Sequence, residues 1–213
     1  AAKAAWWEAE HRNALTNIRL GRLSPGLIAQ EDLPVLEFLE RVKRRLSRWL
    51  GPLPDELHSS FGPGVTLCCR GSVATVADKM TVSPTTTTAA WPYAQQFLDE
   101  SAWFRSLHER KVLTYVEGSA SGHTPVRAAK WFNVPKNAKT DRSIEIGPNI
   151  NVALQLCLGT TMKSRFRSQG WDLLNAAPKH VEKAKQASID GLHATIDLKQ
   201  ASDSVSRKLV EFL

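Results

Sequence analysis

The sequence predicts a mixed α+β chain, and three observations predict it. Long stretches with apolar residues at helical spacing lie at 3–20, 32–50 and 149–167. Short β-prone stretches cluster at 111–117, 125–134 and 142–146. Between the two groups, residues 59–90 are rich in Gly, Pro, Ser and Thr, which favours loops and short elements. The length of 213 residues suits one large or two small domains, and a hydrophobic content of 42% supports a core.

Taken in order, Lys3 to Leu20 is alanine-rich, with Trp6, Trp7, Leu15, Ile18 and Leu20, and reads as a moderately amphipathic helix. Gly21 and Ser24-Pro25-Gly26 end it. Residues 32–50 read as a second helix: Asp32 can cap it, Pro34 fits its first turn, and Leu36, Leu39, Val42, Leu46 and Leu50 form an apolar stripe. Its other face carries Arg41, Lys43, Arg44, Arg45 and Arg48. Gly51-Pro52-Leu53-Pro54 is a stop. Val65–Cys68 and Val73–Val76 are expected as short strands, and Pro84–Thr88 as a loop and candidate linker. Residues 91–110 are expected as one helix starting at Pro92, whose Trp91, Tyr93, Trp103 and Phe104 suit core packing better than base stacking.

Strands at 111–117 and 125–134 would be joined by the flexible turn 118–122, and the alternation over 142–146 predicts a half-buried strand. Pro148 opens a helix over about 149–167 with Ile150, Ala153, Leu154, Cys157, Leu158 and Met162 inside. A short polar helix is expected at 178–188. Ala194–Ile196 read as a short buried strand, and Val205, Leu209, Val210 and Leu213 as a last helix that Ser202, Asp203 or Ser204 can cap.

A formal net charge of +7 and a pI near 9.5 favour a polyanionic partner, either nucleic acid or an anionic membrane. No apolar run approaches the roughly 18 residues of a membrane span. Cys68, Cys69 and Cys157 show no metal-ligand spacing and read as buried or incidental thiols of a reducing, intracellular protein. The six histidines are scattered, which argues against zinc. Nucleophile-elbow and phosphate-loop motifs are absent, which removes serine-hydrolase and P-loop readings. No signal peptide is visible, and the missing initiator Met points to a processed or cut N-terminus.

Two short segments carry candidate chemistry. One runs strand, acid, tight turn, acid, helix, with Asp197 at the strand end and Asp203 six residues on. A carboxylate at the end of a buried strand is costly unless it is paired or binds a metal; the plainer reading is a strand-end acid and a helix-cap acid. The other places Lys136, Lys139 and Arg142 on a loop running into a strand. Such cations can surround a triphosphate, or simply form a solvated basic loop.

Three ordered blocks resemble the RNA-dependent RNA polymerases of the leviviruses, the small RNA bacteriophages. Thr195-Ile196-Asp197-Leu198 followed by Ala201-Ser202-Asp203-Ser204 is similar to their palm motif A. Residues 134–144 with Pro148, Asn149 and Gln155 resemble their basic fingers motif, motif F. Phe61-Gly62-Pro63-Gly64, Cys69-Arg70-Gly71, Asp78-Lys79 and Pro84-Thr85 resemble their N-terminal region, whereas 172–190 departs from the pattern.

The resemblance implies the fingers region of a right-hand polymerase at 59–190, with motif F at 130–146, a helical extension at 1–58 and the first palm strand in 191–213. It implies Asp197 as catalytic residue and ligand of Mg²⁺, with Mn²⁺ as the alternative ion, and Asp203 as reader of the ribose hydroxyls. Lys136, Lys139 and Arg142 would bind the NTP, with Asp141 orienting Arg142. Arg41, Lys43, Arg44, Arg45 and Arg48 form a weaker RNA-binding candidate. The expected partners are template RNA, NTPs and host translation factors, in the cytoplasm of a bacterial host and without a membrane. The chain holds no Asp-Asp pair and ends nine residues after Ser204. It is therefore expected to need a Gly-Asp-Asp hairpin and the rest of the palm and thumb, in cis or from a second polypeptide, and to be inactive alone. The competing reading is a non-catalytic RNA-binding module.

Overall fold

The computed structural model describes residues 2–23, 28–54, 61–62, 64–98, 101–116, 119–196, 198 and 200–213. In chain order it contains α1 (Ala2–Gly21), α2 (Leu33–Leu50), α3 (Val76–Thr81), β1 (Thr85–Thr87), α4 (Trp91–Leu98) and α5 (Ala102–Glu109). The short strands β2 (Thr114–Val116), β3 (Ser119–Ser121), β4 (Thr124–Val126), β5 (Lys130–Pro135) and β6 (Asp141–Ile146) follow. The remainder is helical: α6 (Asn149–Ser168), α7 (Ala176–Asp190) and α8 (Arg207–Phe212). The α+β class is therefore as expected. Contacts divide the chain into two compact units, one of Ala1–Leu53, Pro135–Asp141 and Lys163–Leu213, the other of Pro54–Val134 and Arg142–Met162.

In the second unit, Ala94, Trp103, Phe104, Leu107, Leu113, Ile150 and Ala153 form one buried apolar cluster. It joins α4, α5 and the first half of α6, with Phe61 meeting Trp103 edge-on at 4.9 Å. Burying such aromatics contributes about 1.5–3 kcal/mol each. Tyr93 is exposed, so the core aromatics are fewer than the four expected. The expected single helix at 91–110 is two helices. Ser101 accepts a hydrogen bond from Phe104 N at 3.0 Å and caps α5, a cap that starts a new helix rather than continuing the old one. In α6, Ile150, Ala153 and Cys157 are buried as expected, but Leu158 and Met162 are exposed.

Three further expectations change. Val65–Cys68 is a turn, with Thr66 and Cys69 exchanging backbone hydrogen bonds of 2.9 and 3.3 Å. The expected strand at Val73–Val76 is instead the end of a 3-10 turn over Gly71–Val73 followed by the start of α3, where Thr75 and Asp78 make a reciprocal capping box. The threonine tract is not a loop. Thr85–Thr87 is a strand pairing in parallel with β4, Thr86 opposite Pro125. Two asparagines of α6 make that polar strand affordable to bury. Asn149 Oδ1 accepts from Thr85 N at 2.6 Å and Thr85 Oγ1 at 3.1 Å, and Asn151 Oδ1 accepts from Thr87 N at 3.1 Å. The β2–β3 pairing is antiparallel, with Thr114 opposite Ser121; its turn lies outside the described residues.

In the first unit, the apolar stripe of α2 is half-buried and its opposite face exposed. Asp32 does not cap the helix, because a 3-10 turn over Gln30–Asp32 already holds it in helical backbone. Ala194–Ile196 is neither strand nor buried, and Ile196 is 83% exposed. A strand needs a neighbour for its ladder, and no described strand lies beside this segment.

Candidate nucleic-acid interface

The basic segment is a hairpin, β5 paired with β6, whose tip spans 136–140. Asn137 builds that tip. Its Oδ1 accepts from Lys139 N, Thr140 N and Thr140 Oγ1, all at 2.9 Å, and Lys136 N donates to Thr140 O at 2.8 Å. An asparagine bonded to the backbone two and three residues on is an Asx-type turn, which fixes the loop without side-chain burial. Lys136 and Lys139 project from a set backbone and are exposed, as is Arg142 on β6. Among the described residues none of the three has an ion-pair partner. Asp141 makes no ion pair with Arg142 either, a correction to the orienting role expected for it. Unpaired cations on a rigid turn suit an incoming polyanion, because no internal pair must be broken first.

Asp197 lies outside the described residues. Asp203 is exposed in a 3-10 turn over Ser202–Ser204, where its carboxylate accepts from Ser202 Oγ at 3.3 Å. None of these three residues caps the last helix; Ser206 does, accepting from Leu209 N. The acid-bearing segment is held from the opposite end of the sequence, by α1. Arg12 Nη2 donates to Gln200 Oε1 at 2.5 Å, Asn13 Nδ2 donates to the Asp203 carbonyl at 2.8 Å, and Asn17 Oδ1 accepts from Lys208 N at 2.9 Å. Sequence reasoning missed this clamp. Its only signal was Asn13 and Asn17, four apart and hence on one face of an alanine-rich helix.

No hydrogen bond or ion pair joins Lys136 or Lys139 to Asp203 among the described residues. On α2, Arg41, Arg44, Arg45 and Arg48 are exposed, Lys43 is half-buried beside Phe212, and Arg45 lies 4.9 Å over the Trp49 ring. Among the described residues no cluster of three His, Cys, Asp or Glu could hold a metal ion, so the described donors do not fit a divalent ion by themselves. At Cys69 the thiolate is disfavoured: burial, reinforced by neighbouring Cys68, pushes its thiol up to about 11.

A family model described as RNA replicase, beta-chain, matches residues 1–213, which is the whole chain. The chain belongs to this replicase family. It is 32% identical over 223 residues to the RNA-directed RNA polymerase subunit beta of Enterobacteria phage SP, covering 99% of this chain and 35% of that protein. To the corresponding subunit of Escherichia virus Qbeta it is 30% identical over 220 residues, covering 99% and 34%. To the RNA-directed RNA polymerase beta chain of Enterobacteria phage GA it is 36% identical over 143 residues, covering 66% and 23%. The chain thus spans about a third or less of the length of these relatives. The levivirus resemblance read between Phe61 and Ser204 is borne out. Among the described residues, no helix is long and apolar enough to cross a membrane.

Proposed function

We propose that this chain is part of an RNA-directed RNA polymerase that extends an RNA 3′-OH by attack on the α-phosphate of an NTP, with release of pyrophosphate. Template RNA and NTPs are its substrates, and the bacterial host cytoplasm its site of action, with host translation factors as further partners. In this reading, 1–58 is a helical extension, 59–190 is the fingers region and 191–213 begins the palm. Lys136, Lys139 and Arg142 neutralise the triphosphate, and the carboxylate of Asp203 reads the ribose 2′-OH, which both donates and accepts. Asp197 is the catalytic carboxylate. A divalent ion enters the proposal only through it, as a hard oxygen ligand suited to Mg²⁺ or Mn²⁺. Further palm acids must come from a Gly-Asp-Asp hairpin, in cis or on a second polypeptide, so the 213 residues are inactive alone.

The observation that carries this reading is the hairpin tip: three exposed cations without ion-pair partners among the described residues, two of them on a turn fixed by Asn137, within a chain matched over its whole length by a replicase family. Phosphoryl transfer asks for positioned charge more than for covalent chemistry, and this turn supplies it. The test is primer extension by the polymerase completed with the remaining palm acids. Lys136→Gln with Lys139→Gln should raise the KM for NTP about tenfold or more while leaving template affinity intact. An unchanged KM removes the triphosphate role. A non-catalytic RNA-binding module is the second reading, favoured by the basic face of α2; it predicts RNA affinity that depends on salt and is indifferent to Asp197.

A further inference from the structure

The basic face of α2 is one wall of an open groove. Arg41, Arg44, Arg45, Arg48 and Trp49 line it from α2, and Gln169 lines it from the turn after α6. On a helix, positions 41, 44, 45 and 48 fall within an arc of about 100° and spread over about 10 Å of axis. Like charges three and four apart repel, so such a stripe weakens the helix unless something neutralises it. No ion pair among the described residues does. Glu40 also lines the groove, yet among the described residues no carboxylate makes an ion pair with any of the four arginines. Lys43, the other cation here, sits 4.9 Å over the Phe212 ring.

The second observation is aromatic. Trp49 packs edge-on against Phe166 at 5.9 Å and lies 6.4 Å from Trp171, while Arg45 covers it at 4.9 Å. Trp49 is thereby engaged, but Trp171 beside it is 59% exposed. A solvated helix face explains the arginines and leaves an exposed indole unexplained. Cations that follow a strand, next to an open aromatic face, match the way single strands are bound: charge tracks the backbone and a base stacks on the ring.

We propose that this groove is a single-stranded RNA site, in which Arg41, Arg44, Arg45 and Arg48 track the phosphates, and that Trp171, beside the lining residue Trp49, takes a base at its edge. The choice of RNA as the polyanion rests on the proposed function; the groove itself does not. Single-stranded RNA is favoured over duplex because an exposed ring has nothing to stack on in a paired helix. It is favoured over an anionic membrane because the arginines line a groove, which admits a strand, rather than a flat surface.

The test is fluorescence anisotropy of a labelled oligouridylate on the full 213-residue chain, over a range of salt. Replacing all four arginines by Gln should weaken binding more than about tenfold at low salt and flatten the log–log salt dependence by about 2.8, at roughly 0.7 per phosphate contact. The four Arg→Lys replacements, which keep the charge, should keep most of that slope. Trp171→Ala should cost about tenfold and Trp171→Phe should recover it. Arg→Gln relieves the repulsion along α2 and loses the Arg45–Trp49 contact, two opposing effects, so circular dichroism should keep the wild-type helix content and Tm should stay within a few degrees of it. Binding unchanged in both the four-Gln and the Trp171→Ala proteins overturns the proposal. So does equal competition by an RNA duplex or by phosphatidylserine vesicles. If affinity falls only with Lys136→Gln and Lys139→Gln, the strand lies on the hairpin and the groove is wrong, while the polymerase reading is then decided separately by extension with Asp197→Asn. If the groove variants behave as expected and extension ignores Asp197→Asn, the groove stands and the polymerase reading falls.

Discussion

Asn149→Ala removes the joint between the threonine strand and the helix that follows the basic hairpin. Asn149 is fully buried, and its Oδ1 accepts three hydrogen bonds: Thr85 N at 2.6 Å, Thr85 Oγ1 at 3.1 Å and Ile150 N at 3.0 Å. Its own N–H returns a bond to Thr85 Oγ1 at 3.0 Å and survives truncation. The Thr85 N–H has the most to lose, because a buried backbone donor left bare costs about 1–3 kcal/mol. The hydroxyl and the first-turn N–H of Ile150 each lose a bond worth about 0.5–1.5 kcal/mol. One gain offsets these, since Asn149 Nδ2 is buried without a partner among the described residues and truncation removes that penalty. The net loss is about 3 kcal/mol, which for a chain of this size lowers Tm by about 6–12 °C. Urea unfolding followed by circular dichroism measures it. Asn149→Asp, which keeps all three acceptor contacts, should lose less at neutral pH. A loss below about 1 kcal/mol for the alanine variant would refute the claim that this asparagine joins strand to helix.

Three other outcomes follow from the same geometry. Asp203→Asn should relax discrimination between NTP and dNTP in the completed polymerase, because an amide oxygen is a weaker acceptor for the 2′-OH; unchanged discrimination would move the ribose reader elsewhere. Asn13→Ala with Asn17→Ala should loosen the segment bearing Asp203 and cut extension without altering oligouridylate binding, as measured on one preparation. His123 stacks on Trp91 at 3.7 Å, and burial lowers its pKa from 6.5. A His with a depressed folded pKa takes up protons more readily when unfolded. Its stability contribution is therefore full above about pH 6.5 and is lost as pH falls toward the folded value. His123→Phe keeps the stack and should flatten the fall of Tm between about pH 7 and 5.5; parallel curves for the two proteins would show that His123 carries none of it.

The helices were legible because their signal is periodic and local. The stripe Leu36, Leu39, Val42, Leu46 and Leu50 needs no distant partner to be read. The threonine tract was misread because its burial depends on Asn149 and Asn151, about 64 residues away, and no local pattern announces such a pairing. The α3 capping box was local and could have been read from Thr75 and Asp78. Ala194–Ile196 looked like a strand because its propensity is β, yet propensity cannot supply a neighbouring strand. At the candidate site, residue types were legible and their support was not. Lys136 and Lys139 stood out by charge, whereas Asn137, which shapes their turn, and Asn13 and Asn17, which hold the Asp203 segment, are ordinary polar residues until the fold gives them partners.

The most direct measurement is nucleotide incorporation by the completed polymerase carrying Asp197→Asn, a change that keeps side-chain shape and removes the charge. Incorporation should fall about a hundredfold or more, as expected when one preorganised electrostatic group is lost, while oligouridylate affinity and the KM for NTP stay near wild type. Incorporation at the wild-type rate would contradict the assignment of Asp197 and favour the RNA-binding module.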